Sequence, residues 1–147
     1  MIVPERLRAL VVDDNAYARG LTAATLKKLG LTTIIQAEGG ATAIALLASE
    51  TFDVMLMDWY MPEVSGAGLI QVLRDPRFGH NTAMPVILVT AYATRENIAK
   101  ARELGVNEVL TKPFTADHLL LALGRVLPVR WDTPEAKEEA ADGKVFL

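Results

Sequence analysis

Five short apolar runs separated by amphipathic stretches are the feature that most constrains this fold. The runs cover residues 7–12, 33–37, 52–57, 85–90 and 108–111. Runs of about four to eight apolar residues bounded by turn residues are typical of strands buried in a parallel sheet. Apolar residues recur at helical spacing within residues 21–29, 41–48, 66–73, 98–104 and 119–127. Five strand–helix units in alternation predict an α/β fold: a doubly wound, five-stranded parallel sheet with five helices on its two faces.

Length and composition exclude several classes of protein. The chain has 147 residues, which fits one domain of about 100–200 residues. It has no cysteine, so disulfides, zinc ribbons, thiol catalysis and iron–sulfur clusters are excluded. Only His80 and His118 could supply an imidazole, and they lie far apart in the sequence. A Ser-His-Asp hydrolase is therefore poorly supported.

Charge and hydropathy also bear on partners and location. The formal net charge is −3 at pH 7, whereas nucleic-acid binding usually needs a basic surface. The first residues show no long apolar stretch after a basic start, and no window approaches the roughly 20 apolar residues that span a bilayer. We therefore expect a cytoplasmic protein with no nucleic-acid partner and no membrane insertion.

Polar, chemically capable residues stand where four of the five predicted strands end. Asp13 and Asp14 follow the first run, Asp58 follows the third, Thr90 closes the fourth and Lys112 follows the fifth. Ligands of open parallel sheets bind beyond the carboxyl ends of the strands. Carboxylates that meet there repel one another unless a cation joins them, and hard oxygen ligands favour Mg²⁺. These residues predict a magnesium site.

The same set of residues is suited to phosphoryl transfer. A carboxylate such as Asp58 can attack a phosphoryl group and form an acyl phosphate. Mg²⁺ held by Asp58 with Asp13 or Asp14 would neutralise the phosphoryl oxygens. Lys112 adds a fixed positive charge, and a hydroxyl such as that of Thr90 can donate a hydrogen bond. Positioning and charge neutralisation are most of what this reaction requires of a protein.

Four segments in this order resemble the receiver domain of two-component response regulators, in its stand-alone, CheY-like form. They are residues 10–15 (LVVDDN), 57–62 (MDWYMP), 89–91 (VTA) and 111–114 (TKPF). Their order and spacing agree with the family over about residues 5–127, which we take as the receiver domain. The resemblance implies that Asp58 accepts the phosphoryl group. It also implies that Mg²⁺ is bound by Asp13, Asp14, Asp58 and the backbone carbonyl of Tyr60.

The resemblance assigns further roles, and the chain departs from the family at one of them. Thr90 would be the switch hydroxyl and Lys112 the phosphate-binding lysine, followed by Pro113 in a cis peptide bond. The family often has Tyr or Phe three residues before this lysine, where the ring turns inward as the hydroxyl moves. Here that residue is Val109, which has no ring to move.

Two tyrosines could replace this aromatic readout or protect the acyl phosphate. Tyr92 lies two residues after Thr90, where it could cover or sense the site, and Tyr60 lies two residues after Asp58. The position of Tyr60 tunes the access of hydrolytic water in the family. From their bulk we hypothesise that both tyrosines shield the acyl phosphate.

The resemblance implies partners but no small-molecule substrate. The donor would be a phosphohistidine on a sensor histidine kinase or a phosphotransfer protein. A downstream target protein would recognise the surface of the fourth helix, the fifth strand and the fifth helix. The chain would catalyse only its own phosphorylation and dephosphorylation, and so would not be an enzyme in the usual sense.

Two alternatives remain open. A phosphorylation-independent adaptor with the receiver fold is favoured by Val109 and disfavoured by the complete acidic set. A Mg²⁺-dependent phosphatase or phosphotransferase would also use an aspartyl nucleophile. Such enzymes usually carry an Asp-x-Asp pair and a substrate cap, whereas Asp13 and Asp14 are adjacent.

Residues 128–147 form a C-terminal tail of different character. Residues 133–135 (TPE) predict a helix start, and residues 142–143 (DG) predict its end. Apolar residues flank this short segment on both sides. We expect either a frayed tail or a helix that docks on this domain, on a second copy in a homodimer or on another partner.

Overall fold

The computed structural model describes residues 3–128, and the five predicted strand–helix units are present in it. The strands are β1 (Arg8–Val12), β2 (Thr33–Ala37), β3 (Val54–Met57), β4 (Val86–Thr90) and β5 (Glu108–Thr111). The helices are α1 (Ala16–Lys28), α2 (Gly40–Ser49), α3 (Gly66–Arg74), α4 (Arg95–Glu103) and α5 (Ala116–Val126). Short 3-10 turns cover Pro4–Arg6 and Pro76–Phe78. Each strand lies within two residues of the corresponding predicted run.

The five strands form one parallel sheet in the order β2-β1-β3-β4-β5. The order changes direction at β1, which pairs with β2 on one side and with β3 on the other. In doubly wound sheets the ligand crevice opens at such a switch point, beyond the carboxyl ends of the strands. Val12, the last residue of β1, pairs with Met57, the last residue of β3. The residues that follow these two strands therefore begin side by side.

Alternate residues of the central strands pack on opposite faces of the sheet. Met55 and Met57 belong to a core cluster with residues of α2, α3 and α4, whereas Val54 and Leu56 pack with residues of α1 and α5. All four residues of β3 are buried. Burial on both faces explains why the sequence shows a continuous apolar run rather than an alternating pattern.

The polar segment between α3 and β4 is fastened by side-chain hydrogen bonds. Arg74 donates to the carbonyl oxygens of Thr82 and Met84, each at 2.7 Å, and to that of Gly105. The buried Asn81 side chain donates to the carbonyl oxygens of Leu47 and Glu50 and accepts from the amide of Phe52. His80 lies exposed in this segment with its Nε2 atom 3.2 Å from the Glu50 carbonyl oxygen. This segment therefore closes the end of the sheet opposite the predicted site.

Among residues 3–128, no helix has the length and apolar character needed to cross a membrane. The predicted C-terminal helix and its apolar flanks, within residues 129–147, lie outside the described residues.

Candidate functional site

Three carboxylates meet at the edge of the sheet where β1 and β3 end. One oxygen from each of Asp13, Asp14 and Asp58 lies within 4.8 Å of the other two. Asp13 is buried, Asp58 is half-buried and Asp14 is exposed. The pairing of β1 with β3 places these residues side by side, as the positions of the apolar runs predicted. Hard oxygen atoms in this arrangement can hold a divalent cation.

The start of α1 fixes the orientation of Asp13. The Asn15 amide donates to Asp13 Oδ1 at 2.9 Å, and Arg19 Nη1 donates to the Asp13 carbonyl oxygen at 2.8 Å. Asn15 also caps the helix, because its Oδ1 accepts from the amide of Ala18. A capping residue next to the acidic pair therefore links the geometry of the site to the first turn of α1.

Lys112 reaches the carboxylates from the end of β5. Its Nζ lies 2.7 Å from Asp13 Oδ2 and 3.3 Å from Asp58 Oδ2. Burial lowers the pKa of Lys112, but its hydrogen bonds and opposite charges with Asp13 and Asp58 outweigh this effect and raise that pKa above its usual value. Lys112 is therefore a fixed positive charge at neutral pH. The peptide bond to Pro113 is cis.

The backbone around Asp58 is held by a close approach of α3. The Asp58 amide donates to the Val12 carbonyl oxygen, and the Gly66 amide donates to the Trp59 carbonyl oxygen at 2.9 Å. A Cβ atom on Gly66 would lie 2.6 Å from the Asp58 carbonyl oxygen and 2.9 Å from Trp59 Cα. Only glycine fits at this position. No pattern in the sequence predicts this role of Gly66, because the constraint depends on how α3 packs against the loop.

Thr90 closes β4 at the same edge of the sheet. Its side chain is fully buried, and its Oγ1 accepts a hydrogen bond from the amide of Tyr92 at 3.1 Å. Since β4 pairs with β3, with Leu88 opposite Met57, Thr90 lies on the side of Asp58 away from β1. The hydroxyl is thus placed by a strand and oriented by the loop that follows it.

Tyr60 and Tyr92 contact each other on the surface beside the site. Their ring centroids are 5.1 Å apart at an interplanar angle of 87°, an edge-to-face pair. The Asn97 side chain joins them: Nδ2 lies 3.1 Å from the Tyr60 hydroxyl and donates to the Tyr92 carbonyl oxygen at 2.8 Å. Both tyrosines were predicted from the sequence to lie near the site, whereas Asn97 was not. Nothing in the sequence marks this residue, because the contact depends on the conformations of two loops.

Val109 lies half-buried in the middle of β5. It pairs with Leu88 of β4 and packs against the core cluster on the α2, α3 and α4 side of the sheet. The structure therefore places an aliphatic side chain where the family often has an aromatic ring.

The comparisons with known proteins agree with the fold and the acidic cluster. A family model described as the response regulator receiver domain matches residues 9–124. The chain therefore belongs to the response regulator receiver family, and it is a receiver domain of the CheY type, a phosphoacceptor of two-component signalling. The family and the fold class predicted from the sequence are both confirmed.

Two curated relatives are chemotaxis proteins. The chain is 40% identical over 114 residues to the chemotaxis protein CheY of Pseudomonas aeruginosa, which covers 77% of this chain and 90% of that protein. It is 35% identical over 126 residues to the chemotaxis protein CheY-3 of Vibrio cholerae, covering 85% and 95% of the two chains. Both relatives are matched over almost their whole length.

Two solved structures share the fold. Chemotaxis protein CheY4 of Vibrio cholerae, crystallised at low pH, superposes with a TM-score of 0.75 at 27% identity, covering 86% of this chain and all of that one. The receiver domain of a sensor histidine kinase from Pseudomonas aeruginosa superposes with a TM-score of 0.74 at 26% identity, covering 82% and 96%. That domain has a magnesium ion coordinated in its active site cleft.

Proposed function

We propose that Asp58 accepts a phosphoryl group from a phosphohistidine in a Mg²⁺-dependent reaction. The observation that carries this proposal is the cluster of three carboxylates within 4.8 Å, with Lys112 in contact with two of them. Asp58 is the member we assign as the acceptor. It follows the central strand of the sheet, it is half-buried, and its Oδ2 faces Lys112.

The donor set fits a magnesium ion. Three carboxylates and one ammonium group leave a net charge of −2 at the site, which a divalent cation balances. Asp13, Asp14 and Asp58 would hold the ion through carboxylate oxygens, and Tyr60 would add its backbone carbonyl. When bound, Mg²⁺ supplies positive charge that stabilises the oxygens of the transferring group.

The residues of the chain perform the transfer by position and charge. A carboxylate oxygen of Asp58 attacks the phosphorus, the phosphorus–nitrogen bond of the donor breaks, and the electron pair returns to the imidazole nitrogen. The Lys112 ammonium stabilises the negative charge on the phosphoryl oxygens. The Thr90 hydroxyl, at the end of the neighbouring strand, donates a hydrogen bond to another of these oxygens. The product is an aspartyl phosphate.

A surface for the donor protein lies beside the carboxylates. A groove of about 410 Å³ runs between α1 and the segment after β5, and Lys112 forms part of its wall. Its other lining residues are mostly apolar and include Tyr17, Leu21, Pro113 and Phe114. Tyr17 is 77% exposed and Leu21 is 51% exposed. An exposed apolar surface next to the site supports docking of a histidine kinase or a histidine phosphotransfer protein.

The output is a change of affinity for another protein. We propose that residues 5–127 form the functional unit, and that the target protein binds the face formed by α4, β5 and α5. The chain then turns over no small-molecule substrate and catalyses only its own phosphorylation and dephosphorylation.

Intact mass after incubation with acetyl phosphate and Mg²⁺ tests this proposal. We expect one phosphoryl adduct on the wild-type chain, dependent on Mg²⁺ and absent from Asp58→Asn. Asp117→Asn is the matched control, because it removes an exposed carboxylate of α5 outside the site and should keep the adduct. An adduct that persists in Asp58→Asn would overturn the assignment of the acceptor.

A second candidate function is that of a phosphorylation-independent adaptor. Val109 favours it, because the residue has no aromatic ring that could report the state of the site. A protein that binds Mg²⁺ but forms no adduct with acetyl phosphate or with a phosphorylated donor protein would support the adaptor.

A further inference from the structure

Asn97 contacts both of the loops that carry the tyrosine pair. It lies in the first turn of α4 with its side chain half-buried. Its Nδ2 donates to the Tyr92 carbonyl oxygen at 2.8 Å and lies 3.1 Å from the Tyr60 hydroxyl, while its Oδ1 lies 3.4 Å from that hydroxyl. One amide group therefore joins the loop after β3, the loop after β4 and the start of α4.

Each of these loops begins at a residue assigned to the phosphoryl chemistry. Tyr60 follows Asp58 by two residues, and the Tyr92 amide donates to Thr90 Oγ1 at 3.1 Å. The path from the Thr90 hydroxyl through Tyr92, Asn97 and Tyr60 back towards Asp58 is continuous. Every link in it is a hydrogen bond or a covalent segment of at most three residues.

Both tyrosine rings are largely exposed. Tyr60 is 53% exposed and Tyr92 is 59% exposed, so few contacts with the core restrict their side-chain torsions. An exposed aromatic pair adds only about 0.5–1.5 kcal/mol beyond its buried area, and ordering side chains costs entropy. A hydrogen bond from a helix to the Tyr60 hydroxyl restricts that ring at its far end.

We propose that Asn97 is a positioning residue that holds Tyr60 against Tyr92 and thereby slows hydrolysis of the aspartyl phosphate. In this reaction water attacks the phosphorus and the bond to the Asp58 oxygen breaks. Asp58 recovers its carboxylate and inorganic phosphate is released. One proton of the water stays on the phosphate and the other passes to solvent. The inference rests on the proposed function and goes beyond it. It assigns to a helix residue outside the site the control of how long the signal lasts.

The position of Asn97 also connects the tyrosine pair to the proposed target surface. Asn97 belongs to α4, part of the face that we assign to the target protein. Binding that shifts the first turn of α4 would change the placement of the tyrosine pair. By linkage, the state of the site would then change the first turn of α4. This route does not require an aromatic ring at position 109.

A double-mutant cycle tests the inference on the full chain. Each variant is phosphorylated with acetyl phosphate and Mg²⁺ and freed of donor, and loss of the adduct is followed by intact mass. We expect Asn97→Ala to lose the adduct about two- to tenfold faster, the effect of one hydrogen bond. Tyr60→Phe, which keeps the ring and removes the hydroxyl, should give a similar increase. The double variant should be no faster than the faster single variant.

Asn107→Ala is the matched control. Asn107 is also near α4, and its side chain accepts from the amide of Val86 and from Arg74 Nη2, away from the tyrosines. Its replacement should lower stability and leave the lifetime of the adduct unchanged. A lifetime that falls equally in this control would show a general loss of rigidity and overturn the role of Asn97.

The remaining outcomes are distinct. A wild-type adduct whose lifetime is unchanged by both Asn97→Ala and Tyr60→Phe overturns the inference and leaves the proposed function intact. Effects of the two replacements that multiply in the double variant show that Asn97 does not act through Tyr60, and they overturn it as well. Failure of the wild-type chain to take up the phosphoryl group overturns the proposed function and the inference together.

Discussion

At the scale of single residues, Thr90 combines a buried structural position with the chemical role that we propose for it. Its side chain is fully buried at the end of β4, and its oxygen accepts from the Tyr92 amide. A hydroxyl that accepts one hydrogen bond still has a proton to donate. In the proposed function that proton is donated to a phosphoryl oxygen on Asp58, while the hydrogen bond from the Tyr92 amide keeps the loop after β4 in place.

Replacement of Thr90 by valine should show whether the hydroxyl matters beyond the packing of the side chain. Thr90→Val keeps the shape but removes the hydroxyl, so the Tyr92 amide loses its acceptor at a cost of about 1–3 kcal/mol. Loss of a hydrogen bond to a charged phosphoryl oxygen should also slow adduct formation about 10- to 100-fold. Thr90→Ser is the matched control, because it keeps the hydroxyl. Mass spectrometry over time measures the rate, and equal rates in the two variants would remove Thr90 from the reaction.

The site residues differ in how far the sequence could predict them. The clustering of Asp13 and Asp58 followed from the ends of two apolar runs, because adjacent parallel strands end at one edge of a sheet. The end of the fifth apolar run placed Lys112 at the same edge, but its contacts with Asp13 and Asp58 could not be predicted, since strand order is not visible in the apolar pattern. Asn97 and Gly66 could not be found at all. Their contacts depend on loop conformation and helix packing rather than on residue type or spacing.

At the scale of elements, the start of α3 sets the position of the loop that follows Asp58. Gly66 begins the helix directly under the backbone of Asp58 and Trp59, with its amide bonded to the Trp59 carbonyl oxygen. Ser65 caps the helix by accepting from the amide of Gly68. The helix therefore cannot shift outward without loss of the hydrogen bond between the Gly66 amide and the Trp59 carbonyl oxygen.

Two glycines of α3 offer a matched pair of substitutions. In Gly66→Ala the new Cβ would clash with the Asp58 and Trp59 backbone, so we expect a loss of about 1–3 kcal/mol in stability and slower adduct formation. In Gly68→Ala the nearest atoms lie at 3.6 Å, an ordinary contact, and the helix should gain about 0.5–1 kcal/mol. Urea unfolding and the rate of adduct formation measure both. Equal effects of the two substitutions would contradict the close approach at Gly66.

The strands were predictable at this scale, but the segment before β4 was not. The apolar runs placed every strand within two residues because burial on both faces leaves an unbroken signal in the sequence. Residues 75–84 carry no helical or strand pattern in the sequence. The structure shows a 3-10 turn at Pro76–Phe78 and a buried Asn81 that joins this loop to α2. Hydrogen bonds from single polar side chains to distant carbonyl groups leave no periodic pattern.

At the scale of the whole molecule, the acidic site opposes the stability of the fold. Its three carboxylates lie within 4.8 Å of one another, and Lys112 contacts only Asp13 and Asp58 among them. Within residues 3–128, no ion pair involves Asp14. Like charges at this distance repel by roughly 1 kcal/mol or more, depending on the local dielectric. A bound divalent cation removes this repulsion and stabilises the folded state by mass action.

The effect of Asp14→Asn on thermal unfolding should therefore depend on metal. Without Mg²⁺ the variant loses one repulsive charge and no ion pair, so its Tm should rise by about 3 °C for a change near 1 kcal/mol. With Mg²⁺ at about a hundred times its Kd the wild-type chain should gain about 2.7 kcal/mol. The variant should gain less, because it lacks one carboxylate ligand. Glu5→Gln removes an exposed carboxylate far from the site and should leave Tm unchanged in both conditions. If Asp14→Asn lowers Tm without metal, Asp14 does not destabilise the cluster by charge repulsion. If the variant gains as much as the wild-type chain from Mg²⁺, Asp14 does not belong to the metal site.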